Sequence, residues 1–187
     1  MKKVMALAVM IAAFVSVKPA SAFIDGELFG GYNFAGELDA GTKNVDLKGW
    51  TYGARAHLTT GMYIADFGVG LFFQRTPLDF DYLSRSYTIT RNDIGPDVYG
   101  RLTVIPFIKP YVRAGLSVYE YSKVKGSGSS KTDKKYFNSY YAGIGAGFQP
   151  PLPVVNFMVF AEYLYNKRYK GDELIGHTVN VGVSLGI

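Results

Sequence analysis

Cysteine is absent from the chain of 187 residues. This absence excludes disulfide bonds, cysteine-ligated metals and a cysteine lipid anchor. Long apolar runs are also missing after the N-terminal segment. Because a helix needs ~20 apolar residues to cross a bilayer, helical membrane spans are excluded there. We expect neither a metal centre nor a bound cofactor.

The N-terminal segment MKKVMALAVMIAAFVSVKPASA has the pattern of an export signal. Two lysines precede an apolar run, and Ala20, Ser21 and Ala22 form a small-residue cleavage site. The run is shorter than a transmembrane helix requires, which disfavours the alternative of a membrane anchor. We predict a signal peptide over residues 1–22 and one domain over residues 23–187.

A large excess of charge of one sign is also absent once this segment is removed. The formal net charge is +5, but Lys2, Lys3 and Lys18 lie in the signal and every acidic residue follows it, which leaves about +2. The exported part therefore has no strong basic field, and we expect no nucleic-acid partner.

What the exported part does contain is alternation of bulky apolar with small or polar side chains. A period of two is typical of β-strands that have one apolar face. The pattern predicts eight strands, over residues 24–34, 49–59, 63–74, 94–104, 110–119, 139–148, 156–165 and 177–187.

The connections between these strands alternate between long and short. The long ones cover residues 35–48, 75–93, 120–138 and 166–176, and the short ones cover residues 60–62, 105–109 and 149–155. An up-and-down meander would place all long connections at one end of the sheet. We expect the glycine-rich third long connection to be mobile. The second contains an apolar set that fits either a strand extension or a contact surface: Leu78, Phe80, Tyr82, Leu83 and Tyr87.

Two architectures fit eight alternating strands: a soluble barrel with its apolar face inward, or a membrane barrel with that face toward lipid. Every lysine after the signal lies in a connection, whereas a water-facing strand surface would use lysine freely. Strands of about 10 residues span roughly 24 Å when tilted, which matches the apolar band of membrane barrels. Aromatic residues near the strand ends suit the interfacial girdles. We predict an all-β, eight-stranded, antiparallel, up-and-down transmembrane barrel.

The opposite face of the strands is rich in glycine and carries sparse charges of both signs. Because buried charges persist only when they are paired, we expect a structural network in the lumen. Examples of such pairs are Glu162 with Arg113 or Arg101, and Asp97 or Asp66 with Arg55. Aromatic residues on this face, Tyr119 among them, would fill so narrow a lumen and argue against a continuous pore. The predicted network comprises Asp25, Glu27, Arg55, Asp66, Asp97, Arg101, Arg113 and Glu162.

Four stretches, PYVRAGLSVY, YYAGIGAGFQ, FAEYLY and HTVNVGVSLGI, resemble strands of the eight-stranded outer-membrane β-barrel proteins of the OmpA/OmpX type. The resemblance covers essentially the whole exported chain. It implies a bacterial outer-membrane location, surface-exposed long loops and contact with outer-membrane lipids and lipopolysaccharide. It also implies folding by the barrel-assembly machinery, whose usual terminal Phe signal is replaced here by Ile187. A closed barrel pairs its last strand with its first, so the sequence can end within a strand; we expect no periplasmic domain after it.

Function does not follow from this fold, which hosts several activities. We expect a monomer with an envelope-integrity or surface-interaction role and no catalysis. The alternatives are an enzyme acting on outer-leaflet lipid and a narrow channel. Parity places His57 and Thr59 in the lumen near the periplasmic end, while His177 on the lipid face has no Ser or carboxylate two residues away.

Lysines in the third long connection are the candidate interaction residues. They make this connection locally basic, suited to lipopolysaccharide phosphates or to an acidic extracellular partner. The alternative is an ordinary solvated loop. The patch comprises Lys123, Lys125, Lys131, Lys134 and Lys135.

Overall fold

The computed structural model describes residues 22–39, 44–61, 64–82, 85–126, 129–151, 156–168 and 174–186. These residues form eight strands: β1 (Ala22–Asp39), β2 (Asn44–Gly61), β3 (Ala65–Tyr82), β4 (Arg85–Leu102), β5 (Ile108–Gly126), β6 (Ser129–Phe148), β7 (Asn156–Arg168) and β8 (Leu174–Gly186). Within the described ranges, the structure contains no helix of the length and hydropathy needed to span a membrane. Apart from Ala22, the predicted signal peptide lies outside the described residues, as does Ile187.

The strands form one closed antiparallel barrel in sequence order. Each strand pairs with the next, and β1 pairs with β8 from Asp25↔Gly186 to Leu38↔Leu174. This closure satisfies the backbone groups of the first and last strands, which would otherwise form free edges. The predicted up-and-down barrel and its seam between the first and last strands are confirmed.

The strands extend beyond their predicted ends wherever a long connection was expected. β3 and β4 pair as far as Tyr82↔Arg85, and β5 and β6 pair as far as Gly126↔Ser129. The prediction of four long loops was therefore wrong. The alternation of apolar with polar side chains marks only the part of each strand that contacts lipid. The backbone pairing between strands continues beyond that part. Seven lysines of the predicted long connections consequently lie in strands, outside the apolar band: Lys48, Lys123, Lys125, Lys131, Lys134, Lys135 and Lys167. Lys109, from a predicted short connection, lies near the start of β5.

The polarity of the barrel wall inverts between the apolar band and these extensions. In the band, aliphatic side chains such as Leu58 and Val181 point outward and are 66% and 61% exposed. In the extensions, Leu47 and Leu78 point inward and are fully buried, while Lys48 lies exposed on the outer side. The band thus suits a lipid surround, and the extensions have the apolar interior of a water-soluble protein.

Leu78 and Phe80, from the apolar set in the predicted second long connection, belong to this upper interior. Leu78 packs with Leu47 and Leu174, and Phe80 packs against that cluster. Phe80 also stacks on Tyr87 across the hairpin, with ring centroids 5.3 Å apart. Of the two alternatives for this segment, the strand extension is the one observed. Leu83 lies outside the described residues.

A register shift in β5 changes which side chains face the lumen. The shift lies between Ser117 and Tyr119 in the pairing with β6, so that Ser117 and Glu120 are both buried. Tyr119 instead contacts the exposed Tyr136, with ring centroids 5.5 Å apart. The prediction that Tyr119 fills the lumen was wrong, because strict alternation does not hold across a bulge.

Candidate functional site

The eight charged residues predicted for the lumen all lie inside the barrel. β1, β2, β4, β5 and β7 each place one or two of them on the inward face, as the alternation of each strand requires. Seven are buried and Asp66 in β3 is half-buried. The structure therefore brings together residues that are up to 137 positions apart in the sequence, from Asp25 to Glu162.

Arg55 and Arg113 form the centre of this network. Arg55 donates to Glu162 at 2.6 Å and to Glu27 at 3.1 Å. Arg113 donates to Glu27 at 2.8 Å and to Asp97 at 3.2 Å, and its Nε lies 3.4 Å from Glu162. Two guanidinium groups thus share three carboxylates, which compensates the cost of burying each charge.

A second group of charges lies around Arg101. Its Nη2 atom is 3.0 Å from an Asp66 carboxylate oxygen, and its Nη1 atom is 3.4 Å from an Asp25 carboxylate oxygen. Asp25 also accepts hydrogen bonds from the Tyr99 hydroxyl at 3.2 Å and from the Ser184 hydroxyl. This group uses different carboxylates from the central one.

Of the pairs that the sequence raised, the structure contains Glu162 with Arg113 and Asp97 with Arg55, the latter at 3.7 Å. Arg101 instead pairs with Asp66 and Asp25. The alternation fixes the face on which each charge lies. It does not determine which of several opposite charges, at similar heights on different strands, becomes its partner.

His57 and Thr59 are inside the lumen, where parity places them. His57 Nε2 is 2.9 Å from an Asp97 oxygen, and the ring edge meets Tyr99 at a centroid distance of 4.9 Å. The hydroxyls of Thr59 and Tyr99 are 2.7 Å apart. Both side chains are buried and hydrogen-bonded to lumen residues.

Aromatic and apolar side chains occupy much of the remaining lumen. Phe72, Tyr141 and Leu164 form one buried cluster, and the Arg55 guanidinium lies 3.9 Å from the centroid of Phe29. Glycine makes room for the large rings: a Cβ atom at Gly115 would overlap the ring of Tyr141. The glycine-rich face therefore fits the aromatic residues of neighbouring strands.

Four further buried charges, absent from the sequence prediction, form an outer cluster with Asn138. Arg91 is 3.2 Å from Asp93 and 3.4 Å from Glu120. Arg168 also contacts Glu120, which accepts a hydrogen bond from Asn138 at 3.0 Å. These residues were assigned to loops. The available signal was the Arg91–Asp93 pair, whose spacing of two places both side chains on one face of a strand.

The electrostatics of the outer cluster favour an ionised Glu120. Burial raises the pKa of its carboxyl group, but Arg91 and Arg168 outweigh burial and hold that pKa below its ordinary value. Burial raises the pKa of Asp93, and the neighbouring Glu120 charge raises it further against the opposing effect of Arg91. Glu120 is therefore the carboxylate that anchors the cluster at neutral pH.

The five lysines of the predicted interaction patch lie on the β5–β6 hairpin but do not share one face. Lys123 pairs with Thr132, Lys125 with Ser130 and Tyr121 with Lys134, on the side opposite the buried Ser122. Lys135 pairs with Glu120 in the alternate position, and Lys131 pairs with Val124 through its backbone. The structure thus brings together Lys123, Lys125 and Lys134.

Within the residues that the structure describes, no group of three or more histidine and acidic side chains is placed to hold a metal ion. The lumen carboxylates are directed at arginine and hydroxyl donors.

Residues 5–186 match the family model of the outer membrane protein beta-barrel domain. The chain therefore belongs to this family of outer-membrane β-barrel proteins, and its location is the bacterial outer membrane. The resemblance inferred from the strand sequences is confirmed. A comparison with curated proteins found no match.

Among the solved structures to which this chain is similar, Neisserial surface protein A shares the barrel fold at low identity. Neisserial surface protein A (NspA) has a TM-score of 0.57 and 16% identity, with 88% of this chain and 98% of that chain covered. Ail of Yersinia pestis, solved with the heparin analogue sucrose octasulfate, has a TM-score of 0.48 and 16% identity, with 88% and 99% covered. OprG from Pseudomonas aeruginosa has a TM-score of 0.46 and 11% identity, with 90% and 97% covered.

Proposed function

We propose that this protein is a closed, non-conducting, monomeric barrel that acts at the cell surface through its β5–β6 hairpin. The hairpin would meet an acidic partner, while the barrel serves as its rigid anchor in the membrane. The observation that carries this proposal is the group formed by Lys123, Lys125 and Lys134 beside the one-sided stretch of β6, at the outer end of a plugged barrel. No transport or catalysis is assigned to the lumen.

The filled lumen supports a non-conducting barrel. The central charged network and the outer cluster are both buried, and the apolar cluster of Phe72, Tyr141 and Leu164 lies between them. An ion that passed would have to break charge pairs in a low-dielectric interior, which costs several kcal/mol for each pair. Such a barrier to the passage of ions favours a closed lumen.

The hairpin supports a surface role. β6 pairs with β5 as far as Ser129, but its pairing with β7 reaches only Ser139↔Arg168. Within the described residues, the stretch 129–138 is therefore paired on one side. Such an edge accepts an added strand from a partner, and lysines there disfavour edge-to-edge pairing of identical chains. A partner with acidic residues would complement these lysines.

The histidine environments support a non-catalytic role. His57 and Thr59 are enclosed in the lumen, and His177 on the outer face is hydrogen-bonded to Tyr163. Acyl transfer would need a nucleophile within hydrogen-bond reach of a base, and a carboxylate that orients this base. Lipid A analysed from cells with and without the protein tests this directly; any protein-dependent change in its acyl chains would contradict the proposal.

Planar-bilayer recording tests the closed lumen. The mature protein, refolded in detergent and inserted into the bilayer, should show no stepwise conductance. Heat-modifiable migration on a detergent gel would verify that the inserted material is folded. Reproducible conductance steps from such material would contradict a closed barrel and favour the alternative of a narrow channel.

Binding of labelled poly-L-glutamate tests the hairpin. We expect salt-sensitive binding by the wild type, because exposed charges are screened as ionic strength rises. Binding should fall in the triple variant Lys123→Gln, Lys125→Gln, Lys134→Gln. The control is the double variant Lys48→Gln, Lys109→Gln, which removes one lysine on β2 and one at the opposite end of β5. Equal binding by wild type and triple variant would refute the proposed role of the hairpin.

A further inference from the structure

His177 stands in a row of side chains that face lipid. The outward positions of β8 that follow it are Val179, Val181, Val183 and Leu185, which are 37–61% exposed. The intervening Thr178 is buried on the lumen side. An imidazole at the lipid-facing end of such a row is costly unless it has polar partners at the membrane interface. The polar partners of His177 therefore indicate what this position can bind.

The neighbours of His177 hold its ring in one orientation. The Tyr163 hydroxyl is 2.5 Å from Nδ1. The rings of Tyr165, Tyr163 and Phe34 surround the imidazole at centroid distances of 5.5, 6.0 and 6.2 Å. In the described part of the chain, Nε2 of His177 has no hydrogen-bond partner of its own. When the hydroxyl donates to Nδ1, Nε2 carries the proton and can donate to a group outside the protein.

A lysine lies on the same outward face, toward the outer end of the barrel. Tyr165 pairs with His177, and Lys167 pairs with Ile175, so Lys167 and His177 are diagonal neighbours ~7–8 Å apart. On the other side, Glu37 pairs with Ile175 across the seam, and its carboxylate would repel an anion. An anion that reached His177 would therefore approach from the side of Lys167.

We propose that His177, Tyr163 and Lys167 form a binding site for the phosphate group of an outer-leaflet membrane lipid. The imidazole Nε2 and the ammonium group bind the phosphate oxygens, and the Tyr163 hydroxyl fixes the ring. The acyl chains lie along the aliphatic row of β8. A membrane lipid is the fitting occupant because the site is continuous with the lipid-facing band. This inference is independent of the hairpin and of the closed lumen.

Native mass spectrometry of the folded mature protein released from detergent tests the site. The probes are phosphatidylglycerol, lipid A, a diacylglycerol with the same acyl chains, and inorganic phosphate. We expect one retained molecule of phosphatidylglycerol or lipid A and weaker retention of the diacylglycerol. Equal retention of the diacylglycerol would overturn a phosphate site. Displacement of the bound lipid by millimolar inorganic phosphate would overturn the assignment to a membrane lipid.

Variants separate this site from general lipid contact. His177→Ala and Lys167→Gln should each weaken phosphatidylglycerol retention about tenfold, as expected for the loss of one charge-assisted hydrogen bond. His177→Gln keeps a polar side chain and serves if the alanine variant does not fold, which heat-modifiable migration reports. Tyr52→Phe removes another outward hydroxyl, and Glu37→Gln removes the nearby carboxylate; both should retain the lipid. Retention unchanged in every His177 and Lys167 variant would refute the site.

Discussion

Arg113 shows what one buried charge contributes to the barrel. It contacts Glu27, Asp97 and Glu162. Among the eight predicted lumen residues, five carboxylates accompany three arginines. Loss of one arginine therefore leaves excess negative charge in a buried site, and neighbouring arginines cannot compensate all of it.

Replacing Arg113 by Met should lower the free energy of unfolding by ~3–5 kcal/mol, the typical cost of breaking a buried ion pair by removing one partner. Urea unfolding of the refolded protein in lipid vesicles measures this change. The exposed Arg75 provides the control, since Arg75→Met should change stability by less than ~0.5 kcal/mol. Similar losses in both variants would show that the lumen network contributes nothing particular to stability.

Glu120 gives a prediction that depends on pH. Its folded-state pKa lies below the ordinary value of 4.5 because Arg91 and Arg168 outweigh burial. A lowered folded pKa means that the ionised carboxylate stabilises the fold above the unfolded pKa, and that this contribution is lost as the pH falls through the folded pKa. The stability difference between wild type and Glu120→Gln should therefore be largest at neutral pH and shrink below about pH 4.5.

Unfolding by urea at neutral and acidic pH measures that difference. The exposed Glu37 supplies a matched control, and Glu37→Gln should show little difference at either pH. A Glu120→Gln effect that grew on acidification would contradict the assigned direction of the pKa shift.

At the scale of single strands, the sequence correctly predicted which side chains face the lumen inside the apolar band. It predicted them poorly in the extensions beyond the band. The alternation in β5 holds from Tyr111 to Ser117 and then shifts, which brings Glu120 into the lumen and turns Tyr119 outward. A bulge depends on pairing with the neighbouring strand, so a single strand's pattern does not reveal it. The sequence does not predict the outer cluster for this reason and because its pattern predicts loops at these positions.

Gly115 tests the fit between neighbouring strands. A methyl group at this position would meet the ring of Tyr141 on β6, and overpacking of this kind typically costs ~1–3 kcal/mol. Gly115→Ala should therefore lower the urea midpoint of the barrel. Gly30→Ala is the control, because its nearest contact would be an ordinary 3.9 Å. A Gly115→Ala barrel as stable as the Gly30→Ala barrel would contradict the packing described for the lumen.

For the whole molecule, the barrel and its membrane location followed from the sequence because lipid imposes a simple rule. Every outward side chain in the band must be apolar, so a period of two appears in all eight strands. Above the band water surrounds the barrel, and the rule no longer applies. There Leu47, Leu78 and Leu174 face inward instead, although the sequence pattern predicts loops over much of this region.

Trp50, the single tryptophan of the chain, tests the orientation of the whole barrel. It is 67% exposed and contacts Tyr32 at a centroid distance of 5.3 Å on the outer surface. In vesicles, its fluorescence should be quenched strongly by lipids brominated near the headgroup and weakly by aqueous iodide. Strong quenching by iodide with no effect of brominated lipid would contradict the assignment of the outward apolar face to the membrane.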